Sequence, residues 1–192
     1  MRIISGSARG KRLATFDGNC IRPTSDRLRE ALFSILFSRL GDLGALRVLD
    51  LYAGTGALSL EALSRGAFHA TLVDENRQAV AVIEQNARAC GVQDRIRLLQ
   101  GRVLDRLPQL QGQEPYGLIF VDPPYGRELV LPTLEAIVSL ELLAKNGLIC
   151  VETSRKEAPT EPMEPLQRLT ERCYGSSRIT LLAFQNNEDT CP

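Results

Sequence analysis

Val48-Leu49-Asp50-Leu51 is a short apolar run that leads into Tyr52-Ala53-Gly54-Thr55-Gly56-Ala57. Glycines after a buried strand let the chain turn sharply and let its backbone come close to a ligand. An amphipathic segment follows, with Leu58, Ala62 and Leu63 on an apolar face and Gly66 as its stop. Strand, glycine turn and helix form the opening unit of a doubly wound α/β sheet, and the helix start offers free N–H groups. A dinucleotide fingerprint would need a third glycine three residues after the second, and Ser59 stands there. The turn therefore suits a smaller ligand that carries no pyrophosphate.

S-adenosylmethionine is such a ligand, and the next strand supports it. Ala70-Thr71-Leu72-Val73 ends at Asp74, roughly 20 residues after the glycine turn, where an acidic side chain can accept hydrogen bonds from ribose hydroxyls. Asp74 can equally serve as the negative charge at the start of the following helix.

A second chemical signal lies further on. The apolar run Leu118-Ile119-Phe120-Val121 ends in Asp122-Pro123-Pro124-Tyr125, followed by Gly126. Proline has no N–H but keeps its carbonyl, so Asp122 and Pro123 both offer acceptors at the end of a buried strand. Tyr125 adds an aromatic plate. Two acceptors beside a flat ring suit a planar group carrying an NH2, such as a nucleobase amine. Taken alone, the same four residues also read as a strand-ending turn, since Asp and Pro both favour turns.

The rest of the chain reads as one further layer of the same architecture. Arg2 to Gly6 and Lys11 to Phe16 form two short strands around a Gly6 to Gly10 turn. A helix runs from Asp26 to Leu40 with Leu28, Ala31, Leu32, Ile35, Leu36 and Leu40 on its buried face, widened by Phe33 and Phe37. Strands and helices then alternate: a helix from Asn76 to Cys90 stopped by Gly91, a strand from Ile96 to Leu99, and a short helix around Leu104 to Leu110. A helix from Leu129 to Leu143 and a strand from Leu148 to Val151 complete the series. Pro159, Pro162 and Pro165 leave no room for another long helix, and Leu166 to Cys173 with Ile179 to Phe184 form an antiparallel hairpin about Gly175. The expected fold is α/β and Rossmann-like: a mostly parallel twisted sheet with an antiparallel last strand, helices on both faces, and a small N-terminal hairpin and helix. The expected division is residues 1–41 as a basic appendage, 42–186 as the main domain, and 187–192 as a frayed tail.

Composition bounds the function. The 192 residues carry no net charge and are 44% hydrophobic, which is ordinary for a soluble globular chain. No apolar run approaches the ~20 residues of a membrane span, and Arg9, Lys11 and Arg12 interrupt any secretory leader. Cys20, Cys90, Cys150, Cys173 and Cys191 are scattered without metal or disulfide spacing, so a reduced, cytoplasmic, metal-free protein is expected. Residues 1–39 hold eight basic side chains against three acidic ones, a local charge of +5 that leaves −5 on the remainder. An arm of one sign on a chain of the other suggests a polyanionic partner. His69, the single histidine, has no acid or nucleophile partner in its motif and reads as structural.

Together Leu49-Asp50-Leu51-Tyr52-Ala53-Gly54-Thr55-Gly56 and Asp122-Pro123-Pro124-Tyr125 resemble the class I S-adenosylmethionine-dependent methyltransferases that modify exocyclic amines. Arg22-Pro23-Thr24-Ser25-Asp26-Arg27-Leu28-Arg29-Glu30-Ala31-Leu32-Phe33 and the stretch from Leu58 to Ala67 narrow this. They resemble the bacterial 16S ribosomal RNA guanine-N2 methyltransferases of the RsmD type, from the basic N-terminus to Tyr174-Gly175. The resemblance implies methylation of guanine 966 of 16S rRNA within small-subunit particles by a monomer. It implies Asp122, Pro123 and Tyr125 as catalytic residues. S-adenosylmethionine would be held by Gly54 and Gly56 with Asp50 beneath them, by Asp74 at the ribose and by Val103 at the adenine. Arg22, Thr24, Asp26 and Arg29 would close over the methionine portion. Arg2, Arg9, Lys11, Arg12 and Arg127 would contact RNA phosphates. Relatives commonly carry an acidic or amide residue at the Arg102 position, and an arginine cannot accept the adenine amine's hydrogen bond. The Val103 backbone or Asp105 would have to serve instead.

Two other readings use the same residues. One is an adenine-N6, cytosine-N4 or protein-glutamine methyltransferase with a similar acceptor turn. A DNA-modifying enzyme, however, would need a target-recognition region for which this chain leaves no room. The other is a non-catalytic nucleic-acid-binding protein on a borrowed fold, against which the intact glycine turn and acceptor turn both stand.

Overall fold

The computed structural model describes residues 1–15, 26–158 and 160–185. Arg22 and Thr24, expected at the cofactor, lie outside the described residues, as do Phe16, Cys20, Pro159, Cys191 and the tail 187–192.

Helices α1 (Asp26–Leu40), α2 (Ala57–Ser64), α3 (Arg77–Cys90), α4 (Val103–Arg106) and α5 (Val130–Ser139) surround strands β1 (Arg47–Leu51), β2 (His69–Asp74), β3 (Ile96–Gln100), β4 (Tyr116–Val121), β5 (Leu143–Ser154), β6 (Leu166–Tyr174) and β7 (Ser177–Phe184). The sheet order is β3-β2-β1-β4-β5-β7-β6, parallel through the first five strands, with β7 antiparallel between β5 and β6. The chain leaves β1 toward β2 and β3, then returns on the other side to β4 and β5. That reversal opens a crevice at the carboxyl ends of β1 and β4.

Strand alternation divides the core in two. Val48, Leu72, Leu118, Phe120, Cys150 and Leu181 face α1, α2, α3 and the N-terminal arm. Leu49, Leu51, Ile119, Val121, Ile149 and Leu182 face α4, α5 and the turn Leu107–Leu110. Central β4 is buried along its whole length, as a strand covered on both faces must be. Helix α3 forms where its sequence specifies both ends: Asn76 accepts a hydrogen bond from Gln78 N at 2.8 Å, and Gly91 closes it in the left-handed region.

Several expectations are corrected. The N-terminal strands reduce to a single antiparallel bridge between Arg2 and Arg12, flanked by Gly10 N to Ile3 O and Leu13 N to Met1 O hydrogen bonds. Ile3 N to Lys11 O, Arg9 N to Gly6 O and Lys11 N to Ala8 O close the arm on itself, and its other polar groups reach α2 and α3. The buried face of α1 is turned toward Leu28, Arg29, Leu32, Phe33 and Leu36, leaving Ala31, Ile35 and Leu40 half-buried and Phe37 63% exposed. Phe33 packs against Phe120, with ring centroids 6.1 Å apart. Helix α5 stops at Ser139 instead of Leu143, because Leu143 is drawn into β5 opposite Tyr116 and Leu142 O accepts from Tyr116 N.

The arm is firmly docked. Glu61, buried in α2, accepts hydrogen bonds from Ile4 N at 2.8 Å and Ser5 N at 3.0 Å and pairs with Arg65 Nε at 2.7 Å. Ser64 O accepts from Ser7 N, and Ser64 Oγ accepts from Ala8 N and donates to Ser5 O. A Cβ on Gly6 would stand 1.8 Å from Ser64 O, so only glycine lets the arm lie this close. Ile3, Ala8 and Leu13 join the core under α1 and α2. Among the described residues, no helix is long and apolar enough to cross a membrane.

Candidate active site at the carboxyl ends of the strands

Register explains how distant acidic residues meet. Asp50 pairs with Leu72 on β2 and Phe120 on β4, and Phe120 pairs with Cys150 on β5. Asp74, Asp122 and Glu152 each stand two residues beyond one of those partners. Period-two alternation therefore puts all four carboxyl side chains on the α1–α3 face, at the carboxyl end of the sheet. Sequence inspection singled out three of them. Glu152 was missed, because nothing local distinguishes it within an apolar strand.

This row has an electrostatic consequence. Burial pushes the Asp50 carboxyl up to about 7, against a hydrogen bond accepted from Ser59 N at 3.2 Å. Asp122 is held well above the usual carboxylate range, first by burial and then by the charges of Glu152 and Asp50. Burial also raises Asp74, although Gly54 N and Asn76 N both donate to it at 2.8 Å. Clustered carboxylates favour a cation beside them.

A stability prediction follows. Asp50 keeps its proton in the folded chain at pH values where the unfolded chain has lost it. The folded state thus binds more protons between about pH 4 and pH 7, so stability falls as pH rises through that window. The Asp50 contribution is on the order of 4 kcal/mol, and Asp74 and Asp122 act in the same direction. Urea midpoints of the ligand-free protein are expected to fall from about pH 4 to about pH 8, and Asp50→Asn to flatten that fall. A midpoint that rises over this range would contradict the arrangement.

The glycine turn has the geometry a close ligand needs. Gly54 and Gly56 are left-handed, with φ of 57° and 75°, and the non-glycine Tyr52 shares that region at 65°. A Cβ on Gly56 would press on Ile83 and Leu72, each at 3.2 Å, whereas one on Gly54 would meet nothing within 4 Å. The space over Gly54, whose N–H donates to Asp74, is open enough for a ligand to approach the backbone closely. Tyr52 Oη lies 2.8 Å from Thr133 Oγ1, which ties the left-handed turn to α5. Left-handed backbone at a bulky residue persists where the surroundings enforce it.

Across the crevice, Asp122 is half-buried, Pro123 buried and Tyr125 exposed by 38%. Glu157 fastens the turn that follows, accepting from Gly126 N and Ser154 N, and leaves Arg127 exposed on the rim. Val103 is buried at the start of α4, while Arg102 and Asp105 are exposed there. Arg2, Arg9, Lys11 and Arg12 are all exposed on the arm. Arg2 is also paired with Asp26 at 3.4 Å. A depression of about 270 Å³ is lined by Arg2, Arg9, Asp26 and Glu30.

Asp26 and Arg29 bind each other at 2.8 Å, and Arg29 Nη2 also donates to Arg2 O. The Arg29 guanidinium is fully buried, with Nε and Nη1 lacking hydrogen-bond partners among the described residues, and burial lowers its pKa. Asn86 is a buried connector. It accepts from Ala14 N at 2.7 Å and donates to Ala14 O and Thr55 O, joining the arm to the glycine turn. His69 lies at the start of β2, far down the strands from this crevice.

Sheet order, the antiparallel β7 and the glycine turn after β1 define the class I S-adenosylmethionine-dependent methyltransferase fold. Within that class, the chain belongs to the family described as Conserved hypothetical protein 95, whose model matches residues 1–183, in keeping with the RsmD-type resemblance. It is 37% identical to Ribosomal RNA small subunit methyltransferase D of Escherichia coli strain K12 over 163 residues, covering 84% of this chain and 79% of the relative. The protein of that name from Haemophilus influenzae is 31% identical over 187 residues, covering 97% and 94%. The solved structure of Escherichia coli yhhF superposes with a TM-score of 0.82 at 34% identity, covering 96% of this chain and 98% of that one.

Proposed function

We propose that this chain transfers a methyl group from S-adenosylmethionine to the exocyclic N2 amine of a guanine in 16S rRNA, in the small ribosomal subunit. The observation that carries the reading is Asp122-Pro123-Pro124-Tyr125 facing the open glycine turn across one crevice. The relatives named for small-subunit rRNA support the substrate class, and guanine 966 rests on the family resemblance. The acceptor turn by itself would also fit adenine N6.

S-adenosylmethionine supplies an electrophilic methyl group when bound. The chain's own residues do the rest. Gly54 and Gly56 give the ligand room, Asp50 fixes the start of α2 through Ser59 N, and Asp74 offers its remaining lone pairs to ribose hydroxyls. Val103, Asp26 and Arg29, with Arg22 and Thr24, complete the proposed cofactor set. Guanine N2 is a poor nucleophile because its lone pair is delocalised into the ring. Hydrogen bonds from the amine to Asp122 and the Pro123 carbonyl favour a pyramidal nitrogen whose lone pair is available. Tyr125 stacks on the base, an interaction worth ~1–3 kcal/mol in nucleic-acid sites. N2 attacks the sulfonium methyl in line with the S–C bond, which breaks with its electron pair going to sulfur to leave a neutral thioether, so positioning does most of the work. The nitrogen then gives up one proton, and Asp122 takes it. A base within a helix must be unstacked to enter.

Methylation of small-subunit particles from a strain lacking this chain, followed by nucleoside analysis, tests the reading. N2-methylguanosine is expected; N6-methyladenosine would select the alternative, and no incorporation would reject both.

RNA docking has its own test. Arg9, Lys11 and Arg12 stand on a docked arm, exposed and without an ion pair among the described residues. Neutralising all three is expected to weaken particle binding and to flatten its salt dependence by roughly 0.7–0.9 in log–log slope per lost phosphate contact. S-adenosylmethionine binding should be unchanged. An unaltered slope would make the arm a solvated face.

A further inference from the structure

Tyr125 is held from behind by two residues distant in sequence. Its Oη donates to Glu152 Oε1 at 3.2 Å and lies 3.2 Å from Ser177 Oγ. Glu152 sits in β5 and Ser177 begins the neighbouring β7. Both are buried, 6% and 5% exposed, while the tyrosine is 38% exposed. An aromatic side chain on a turn between Pro124 and Gly126 would otherwise be free to swing. Here the phenol end is tethered to the sheet and the rest of the ring remains accessible to a base. The register sets Glu152 on the same face as Asp122, on the adjoining strand.

We propose that Glu152 and Ser177 are positioning residues for methyl transfer, fixing the Tyr125 ring beside Asp122 before the base arrives. The inference rests on the function proposed above. Ordering the ring in advance removes an entropic cost that binding would otherwise carry. Glu152 has a second effect through its charge. Among the described residues, the titratable groups facing Asp122 are Asp50 from β1, Glu152 and Cys150 from β5, and Tyr125 from its own turn. Glu152 is the largest of the charges that keep Asp122 protonated to higher pH, behind burial itself. It also contributes to the rise of the Tyr125 hydroxyl to about 12, where burial is the first cause. The tyrosine therefore stays a neutral donor.

The test compares Tyr125→Phe, Ser177→Ala, Glu152→Ala and Glu152→Gln, with kcat and KM for small-subunit particles measured across pH. Tyr125→Phe and Glu152→Ala should each raise KM for particles about three- to tenfold, the cost of ordering one side chain. Ser177→Ala should do so in part. Combining Tyr125→Phe with Glu152→Ala should add nothing, because one tether is lost only once. Glu152→Gln keeps an acceptor oxygen and should restore KM. By removing a negative charge it should move the acid limb of kcat/KM to lower pH. A merely structural glutamate would give neither rescue nor a displaced limb. Tyr125→Phe alters an exposed turn and carries the KM comparison even if Glu152→Ala does not fold. An unchanged KM in Tyr125→Phe, or an acid limb unmoved in Glu152→Gln, would overturn the inference. Failure of the wild-type protein to methylate particles would instead overturn the proposed function.

Discussion

Replacing Asp122 by alanine is expected to lower methyl transfer by about 10²–10⁴-fold, the scale of a lost acid–base group. Affinity for S-adenosylmethionine should change by less than about tenfold, or 1.4 kcal/mol. The separation follows from the architecture. Asp122 leaves β4 on the substrate side of the crevice, whereas the glycine turn, Asp50 and Asp74 belong to β1 and β2. Its removal also takes one negative charge away from Glu152 and Asp50, so the folded protein should be no less stable above neutral pH. Asp122→Asn keeps an acceptor but cannot take the proton, and its loss should be smaller in base binding than in turnover. Single-turnover methylation and calorimetric titration with S-adenosylmethionine separate the two effects. Near-normal turnover in Asp122→Ala would reduce the motif to a strand-ending turn.

Glu61→Ala is expected to cost about 3–5 kcal/mol of stability, the usual consequence of breaking a buried ion pair from one side. Glu61 is fully buried and serves three donors: Ile4 N, Ser5 N and Arg65 Nε. Its loss would orphan two backbone N–H groups of the arm and remove the partner of Arg65, whose guanidinium lies over the Phe33 ring, 4.9 Å from its centroid. Glu61→Gln retains acceptor oxygen and should recover part of the loss. Urea unfolding of both variants, with limited proteolysis of residues 1–15, reads the effect. A change under about 1 kcal/mol would place this residue among ordinary surface pairs and show that the arm docks through its apolar side chains alone.

Much of this arrangement was legible because it is written locally. Strand, glycine turn and helix occupy consecutive residues from Val48 to Ser64, and the structure keeps that order. The ends of α3 were marked by Asn76 and Gly91, and the closing hairpin by Gly175 between two β-rich runs. Asp74 and Asp122 could be singled out because each ends or adjoins an apolar strand, and Asp50 because it stands just ahead of the glycine turn.

The unread part depends on register and long-range pairing. Glu152 and Ser177 lie 27 and 52 residues beyond Tyr125, and only the β4-β5-β7 alignment brings them to it. Glu61, Ser64 and Asn86 meet the arm across 56 to 72 residues, so an arm that reads as a basic appendage is in fact clasped by α2 and α3. The α1 face turned away from its pattern because Arg29 was free to be buried once Asp26 and Arg2 O accepted its hydrogen bonds. That rotation leaves Phe37 in solvent. The early stop of α5 has a similar origin, since the pairing of Leu143 with Tyr116 in the sheet overrides a helical pattern that continues to that residue.

The most direct measurement is mass mapping of 16S rRNA from cells lacking this chain, with the wild-type gene and its Asp122→Ala variant each restored. A single guanine that loses its N2-methyl group in the deletion, regains it with the wild type and stays unmethylated with the variant is the expected result. Small-subunit rRNA with an unchanged set of methylated guanines in all three strains would contradict the assignment.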